Sequence, residues 1–110
     1  MKKVLFDNGT PRKVAGCLIG HSVTRARQLG WHQLNNGDLI AQAEAGGFDV
    51  LLSTDKNIQY QQNLSGRKIA LVVLGQQQWP LVQLYLDRIA AAVNAAQPGT
   101  YTEVEIPFKP

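Results

Sequence analysis

Phe48-Asp49-Val50-Leu51-Leu52-Ser53-Thr54-Asp55 decides the fold. It reads as a buried strand that ends on a hydroxyl pair and a carboxylate. Lys68 to Leu74 is a second near-continuous apolar run, as expected for the middle of a parallel sheet. Val4-Leu5-Phe6, closed by Asp7, is a shorter strand of the same kind. Between these runs the signals are helical. Asn36-Gly37-Asp38 opens a helix to about Ala45, with Leu39, Ile40 and Ala43 on one face and Gly46-Gly47 as its stop. Strands alternating with helices predict an α/β domain with a mainly parallel sheet.

The remaining segments fit that scheme. Thr10 is a good helix N-cap and Pro11 a good first helical residue. Val14, Cys17 and Leu18 then share a face, and Gly20 closes the helix. His21 to Ala26 reads as a second short strand, and residues 27–36 as loop with some helical turn. Asp55 to Ser65 is a polar loop rich in Asn and Gln. Pro80 begins the longest helix, with Leu81, Leu84, Tyr85, Arg88, Ile89, Ala92, Val93 and Ala96 expected inward. Pro98-Gly99 ends it. Tyr101 to Pro107 alternates as an edge strand does, with Val104 and Ile106 on its dry side.

The chain has 110 residues, which suits a single domain spanning 1–110. Hydrophobic residues make up 45% and charged residues 17%, a globular balance that argues against disorder. The net charge of +3 is too small to imply a nucleic-acid partner by itself. One cysteine, Cys17, allows no internal disulfide and fits a reducing compartment. The opening segment has three apolar residues before Asp7, well short of a signal peptide or of the roughly twenty residues of a membrane span. A cytoplasmic protein with no membrane association is expected.

In a parallel α/β domain, chemistry collects at the carboxyl ends of the strands. Asp7 and Asp55 each follow a strand there. A crossover helix runs antiparallel to its strands, so Asp38, in the first turn of its helix, is expected on the same rim. Three carboxylates on one rim repel one another unless a cation joins them. An all-oxygen set of this kind favours Mg2+ or Mn2+. Thr10-Pro11-Arg12 starts a helix on that rim, where free N–H groups favour an anion such as phosphate. Arg12, Lys13 and Lys56 would add positive charge. Metal beside phosphate suggests phosphodiester hydrolysis.

The stretches Val4-Leu5-Phe6-Asp7-Asn8-Gly9-Thr10-Pro11-Arg12, Gly20-His21-Ser22-Val23 and Phe48 to Asn57 resemble the small stand-alone PIN-like proteins, relatives of the VapC toxins. The likeness spans roughly residues 3 to 75, and Thr54-Asp55-Lys56-Asn57 after an apolar strand is its most specific part. It implies a PIN-like three-layer α/β/α fold and a Mg2+- or Mn2+-dependent endoribonuclease of a toxin–antitoxin system. It also implies an RNA substrate, a cognate antitoxin and a homodimer. Carried over by position, Asp7, Asp38 and Asp55 are the catalytic and metal-binding acids. Asn57 is a further metal ligand, and Asn8, Thr10, Arg12 and Lys56 meet the substrate. Asn8 and Asn57 stand where relatives often have acids, so a catalytically silent module that binds RNA or a protein partner is the alternative.

Each of these residues also has a plainer reading. Asp7 and Asp55 suit turns or caps, and Asp38 suits any first helical turn. Glu44 is expected on the far rim. His21 reads as a turn residue, and His32 as a loop residue beside the core anchor Trp31. Arg25 and Arg27 become an RNA-binding patch only if Arg12 or Lys56 joins their face. Gln59 to Asn63 could contact bases, with Tyr60 stacking. A phospho-acceptor receiver domain would also use aspartates after strands, and Lys109-Pro110 resembles its Lys-Pro. It would need a second acid at Asn8 and a Ser or Thr at Gly75.

Overall fold

The computed structural model describes residues 1–58 and 64–107. The polar run 59–63 and Lys109-Pro110 therefore lie outside the described residues. Five strands form one all-parallel sheet in the order β2-β1-β3-β4-β5. They are β1 (Lys3–Phe6), β2 (Ser22–Arg25), β3 (Val50–Ser53), β4 (Ala70–Leu74) and β5 (Tyr101–Val104). The helices lying wholly within the described residues are α1 (Asn36–Ala45), α2 (Trp79–Val82) and α3 (Leu86–Ala95), with 3-10 turns at Arg12–Cys17, Ala26–Leu29 and Gln83–Tyr85.

The apolar strands explain the layering. Side chains alternate between the two faces of a strand, so a continuous apolar run needs cover on both. Val4, Phe6, Val50, Leu52, Val72 and Leu74 pack on one face with Val82, Ile89 and Val93 from α2 and α3. Leu5, Leu51, Leu71 and Val73 pack on the other with Leu39, Ile40 and Ala43 of α1. The result is a three-layer α/β/α arrangement. The helix face expected on α1 is the buried one, and Asn35 caps it by accepting the Asp38 N–H at 2.8 Å.

Two helices depart from expectation. The one expected from Thr10 is a six-residue 3-10 turn, with Pro11 as an N-cap that makes no side-chain bond. Thr10 is not its cap, because the hydroxyl bonds into the sheet instead. The long helix is broken at the Gln83–Tyr85 turn. Its inward stripe is Val82, Ile89, Val93 and Ala96, and Leu84, expected inward, is 53% exposed.

The route of the chain has one irregularity. The crossover from β2 to β3 moves rightward over the α1 face, whereas that from β4 to β5 moves the same way over the other face. The two crossovers therefore have opposite hands, and one departs from the usual right-handed rule.

On the rim where β4 starts, the Glu44 carboxylate accepts the Lys68 N–H at 2.7 Å and a bond from Arg67 at 3.2 Å. The Lys68 N–H, chiefly, and Arg67 hold the Glu44 pKa below the ordinary 4.5. A folded-state pKa below the unfolded one contributes stability above pH 4.5 that is lost as pH falls through the lowered value. Glu44→Gln should therefore lower the melting temperature at pH 7. Melting curves of the two proteins taken from pH 7 to pH 3 should converge at the acid end; a constant gap would exclude this charge-assisted role.

Candidate active site

The strand order reverses between β1 and β3, since the chain moves from β1 outward to β2 and then back past β1 to β3. Such a switch point opens a crevice at the carboxyl ends of the two strands. Asp7 follows β1 and Asp55 follows β3, so both border it.

One serine joins them. Ser53, the last residue of β3, has no exposed surface, so its hydroxyl needs partners. It donates to Asp7 Oδ2 and accepts the Asp55 N–H at 3.1 Å. The other Asp7 oxygen, Oδ1, accepts from Thr10 Oγ1 at 2.9 Å and from the Gly9 N–H at 3.2 Å. Thr10 Oγ1 also lies 2.9 Å from the Leu52 carbonyl oxygen. Asp55 Oδ2 accepts from the Asn36 side chain at 2.8 Å, and Oδ1 from the Asn57 N–H at 2.9 Å. Gly9 is required at its position, because a Cβ there would lie 2.3 Å from Thr54 Oγ1.

Asp7 carries an electrostatic cost. It is half-buried, and burial pushes its carboxyl above the ordinary 3.8 despite the lowering bonds from Ser53, Thr10 and Gly9. Neutral donors and backbone N–H groups hold it, and among the described residues no charged group contributes to the shift. A perturbed carboxyl in a crevice is a functional-site candidate with a physical rationale.

The crevice opens into a cleft of about 150 Å3 lined by Asp7, Asn8, Thr10, Arg12, Arg25 and Arg27. Arg12 thus joins Arg25 and Arg27, which meets the condition set for a basic patch. The patch is carried by β2 and the turns on either side of it, because β2 lies beside β1 at the sheet's edge.

The other expected residues are placed as follows. Asp38 is exposed in the first turn of α1, and the residue of that helix reaching Asp55 is Asn36. Among the described residues no three His, Cys, Asp or Glu side chains come together as a metal-binding group, so the three aspartates do not form one cluster. Asn8 lines the cleft while its side-chain amide donates to the His32 carbonyl, and Lys56 and Asn57 are exposed. Thr10 is buried and spent on orienting Asp7 rather than presented to a ligand. The helix start expected there is a six-residue 3-10 turn, which makes no helix dipole of consequence. His21 is structural: its Nδ1 accepts the Lys2 N–H at 2.9 Å and its Nε2 meets Asn94 at 2.5 Å.

Ser53 and Asn36 were not singled out by sequence. A serine closing an apolar strand and an asparagine opening a helix are ordinary in those places, and only their bonds to the aspartates distinguish them. No protein-family model, curated protein or solved structure matches this chain.

A raised folded-state pKa stabilises below the unfolded value and ceases to as pH rises through the folded one, so ionised Asp7 costs stability at neutral pH. Asp7→Asn should raise the melting temperature by a few degrees at pH 7, the gain vanishing below about pH 3.8. A lower melting temperature at pH 7 would show Asp7 to be a stabilising residue. Gly9→Ala should cost about 1–3 kcal/mol through overpacking. Denaturant unfolding should show part of that cost relieved when Thr54→Ala is added.

Proposed function

We propose that the protein is a metal-dependent endoribonuclease that hydrolyses RNA phosphodiester bonds in the arginine-lined cleft beside Asp7. The observation that carries this reading is a desolvated carboxylate at a switch point, on the wall of a cleft that Arg12, Arg25 and Arg27 also line. Arginine forks match phosphate oxygens, and a phosphate drawn into the cleft would lie next to Asp7. The oxygen donors fit a hard cation in kind. Mg2+ is commonly held by one or two carboxylates together with phosphate and water, and the residues that would hold it are Asp7 and Asp55, whose backbone N–H shares the Ser53 hydroxyl with the Asp7 carboxylate. When bound, such an ion supplies an activated water and neutralises charge on the phosphate.

The chain's own residues have separate tasks in this scheme. Arg12, Arg25 and Arg27 bind the backbone. Thr10, Gly9 and Ser53 fix the orientation of Asp7, while Asn36 and the Asn57 N–H fix Asp55. Asp38, exposed at the start of α1, is left with at most an outer role. The PIN-like resemblance supports the same reading and extends it to a toxin with a cognate antitoxin and a homodimeric state. The catalytically silent module keeps one observation in its favour. Among the described residues no third acid joins Asp7 and Asp55 in a metal-binding group, and Asn8, whose side chain is occupied by the His32 carbonyl, stands where such an acid would. A receiver domain fits less well, because Gly75 rather than a hydroxyl residue follows β4.

A labelled RNA pool incubated with Mn2+ or Mg2+ should be cut by the wild type, and not by Asp7→Asn or in EDTA. RNA bound but uncut by the wild type would favour the silent module. Arg25→Ala should weaken RNA binding and reduce the slope of log affinity against log salt by about 1, as loss of one phosphate contact does.

A further inference from the structure

A second cavity of about 310 Å3 adjoins the cleft and shares Arg12 and Arg25 with it. Residues of the Arg12–Cys17 turn and of β2 line it, and its volume is at the lower end of small-molecule pockets, roughly 300–1,000 Å3. Each cavity also has residues of its own. Asp7 and Arg27 line only the cleft, whereas Lys13 and Gln28 line only the larger cavity.

This division separates the two by charge. The cleft sets three arginines beside the Asp7 carboxylate. The larger cavity has Arg12, Lys13 and Arg25 and, among the described residues, no acid. Attraction between charges is screened only over about 10 Å at 0.1 M salt, so cations on a cavity wall act on an ion inside whichever way their side chains turn. A cavity walled by one sign of charge focuses the field and concentrates the opposite ion. An anion is therefore held more strongly in the larger cavity than in the cleft, where Asp7 repels it. Two contacts keep the wall in place. The Lys13 ammonium lies over the Trp79 ring, 5.7 Å from its centroid, which holds the charge at the turn. Gln28 Oε1 accepts the Arg25 N–H at 2.8 Å, which ties that residue to β2.

Resting on the nuclease reading above, we propose that the larger cavity is an anchoring subsite for a backbone phosphate of RNA next to the scissile one, filled before any phosphate enters the cleft beside Asp7. Neighbouring phosphates of one strand are the natural pair of anions for two cavities with common arginines. Lys13 then serves the anchor alone, and Arg27 serves the cleft alone. Asp7 opposes the second phosphate and not the first.

The test measures binding in EDTA, without cleavage, of the dinucleotide UpU, which has one phosphate, and of the trinucleotide UpUpU, which has two. Lys13→Gln should weaken both about fivefold at low salt and less at high salt, as loss of one phosphate contact on a single strand does. Arg27→Gln should weaken UpUpU and leave UpU unchanged. Asp7→Asn should tighten UpUpU and leave UpU unchanged. UpU binding that responds to Arg27→Gln and Asp7→Asn but not to Lys13→Gln would put the single phosphate in the cleft, overturning the anchor and leaving the nuclease reading standing. Equal responses of both ligands to all three substitutions would mark diffuse surface charge and also overturn the anchor. Failure of the wild type to bind either ligand at low salt would overturn both.

Discussion

Side chains of β1, β3 and β4 are buried on both faces of the sheet, and this constraint governs the rest of the molecule. Residues such as Val4, Leu5, Leu51 and Val72 have no exposed surface. Helices must therefore cover both sides, and polar side chains are expelled to the strand ends. Ser53 is the one buried polar residue of these strands, tolerated because its hydroxyl both donates and accepts a hydrogen bond. The chemistry at the carboxyl rim is thus a consequence of an apolar sheet, since a charge has nowhere else to stand.

The two perturbed carboxylates show opposite uses of that rule. Glu44 sits at the edge of solvent with an arginine and a backbone N–H, so its charge is welcome and ties α1 to the start of β4. Asp7 is drawn inward among hydroxyls and amides, which orient it but leave its charge uncompensated. The first arrangement serves stability. The second gives up stability to hold an oriented carboxylate at the switch point.

The layers were legible in the sequence because apolar periodicity writes them directly. The α1 face of Leu39, Ile40 and Ala43, with its glycine stop, is helical by spacing alone, and Val50–Ser53 and Ala70–Leu74 are strands by continuity. The Arg12–Cys17 turn was not legible as 3-10, because Val14, Cys17 and Leu18 satisfy an α-helical spacing equally well. The break at Gln83–Tyr85 is likewise silent, with no proline or glycine to announce it. At the site, Asp7 and Asp55 were readable from their places after strands. Asn36 and Ser53 were not, since their roles arise from contacts across 19 and 46 residues of chain. Asp38 shows the limit of placing a residue by rim alone: two residues, about half a turn of helix, separate Asn36 facing Asp55 from Asp38 facing solvent.

The strand order has a consequence for synthesis on the ribosome. β1 emerges first, β2 adds to one edge, and β3, β4 and β5 then add in turn to the other. No strand has to insert between two already paired, so the sheet grows outward as the chain is made. The side chains that orient both aspartates, and those lining the cleft and its neighbouring cavity, lie between residues 6 and 55. The second half of the chain contributes the covering layer of α2 and α3 and the outer edge of the sheet. The two halves thus divide the molecule, the candidate site in the first and its covering layer in the second, and the first is assembled while the second is still being translated.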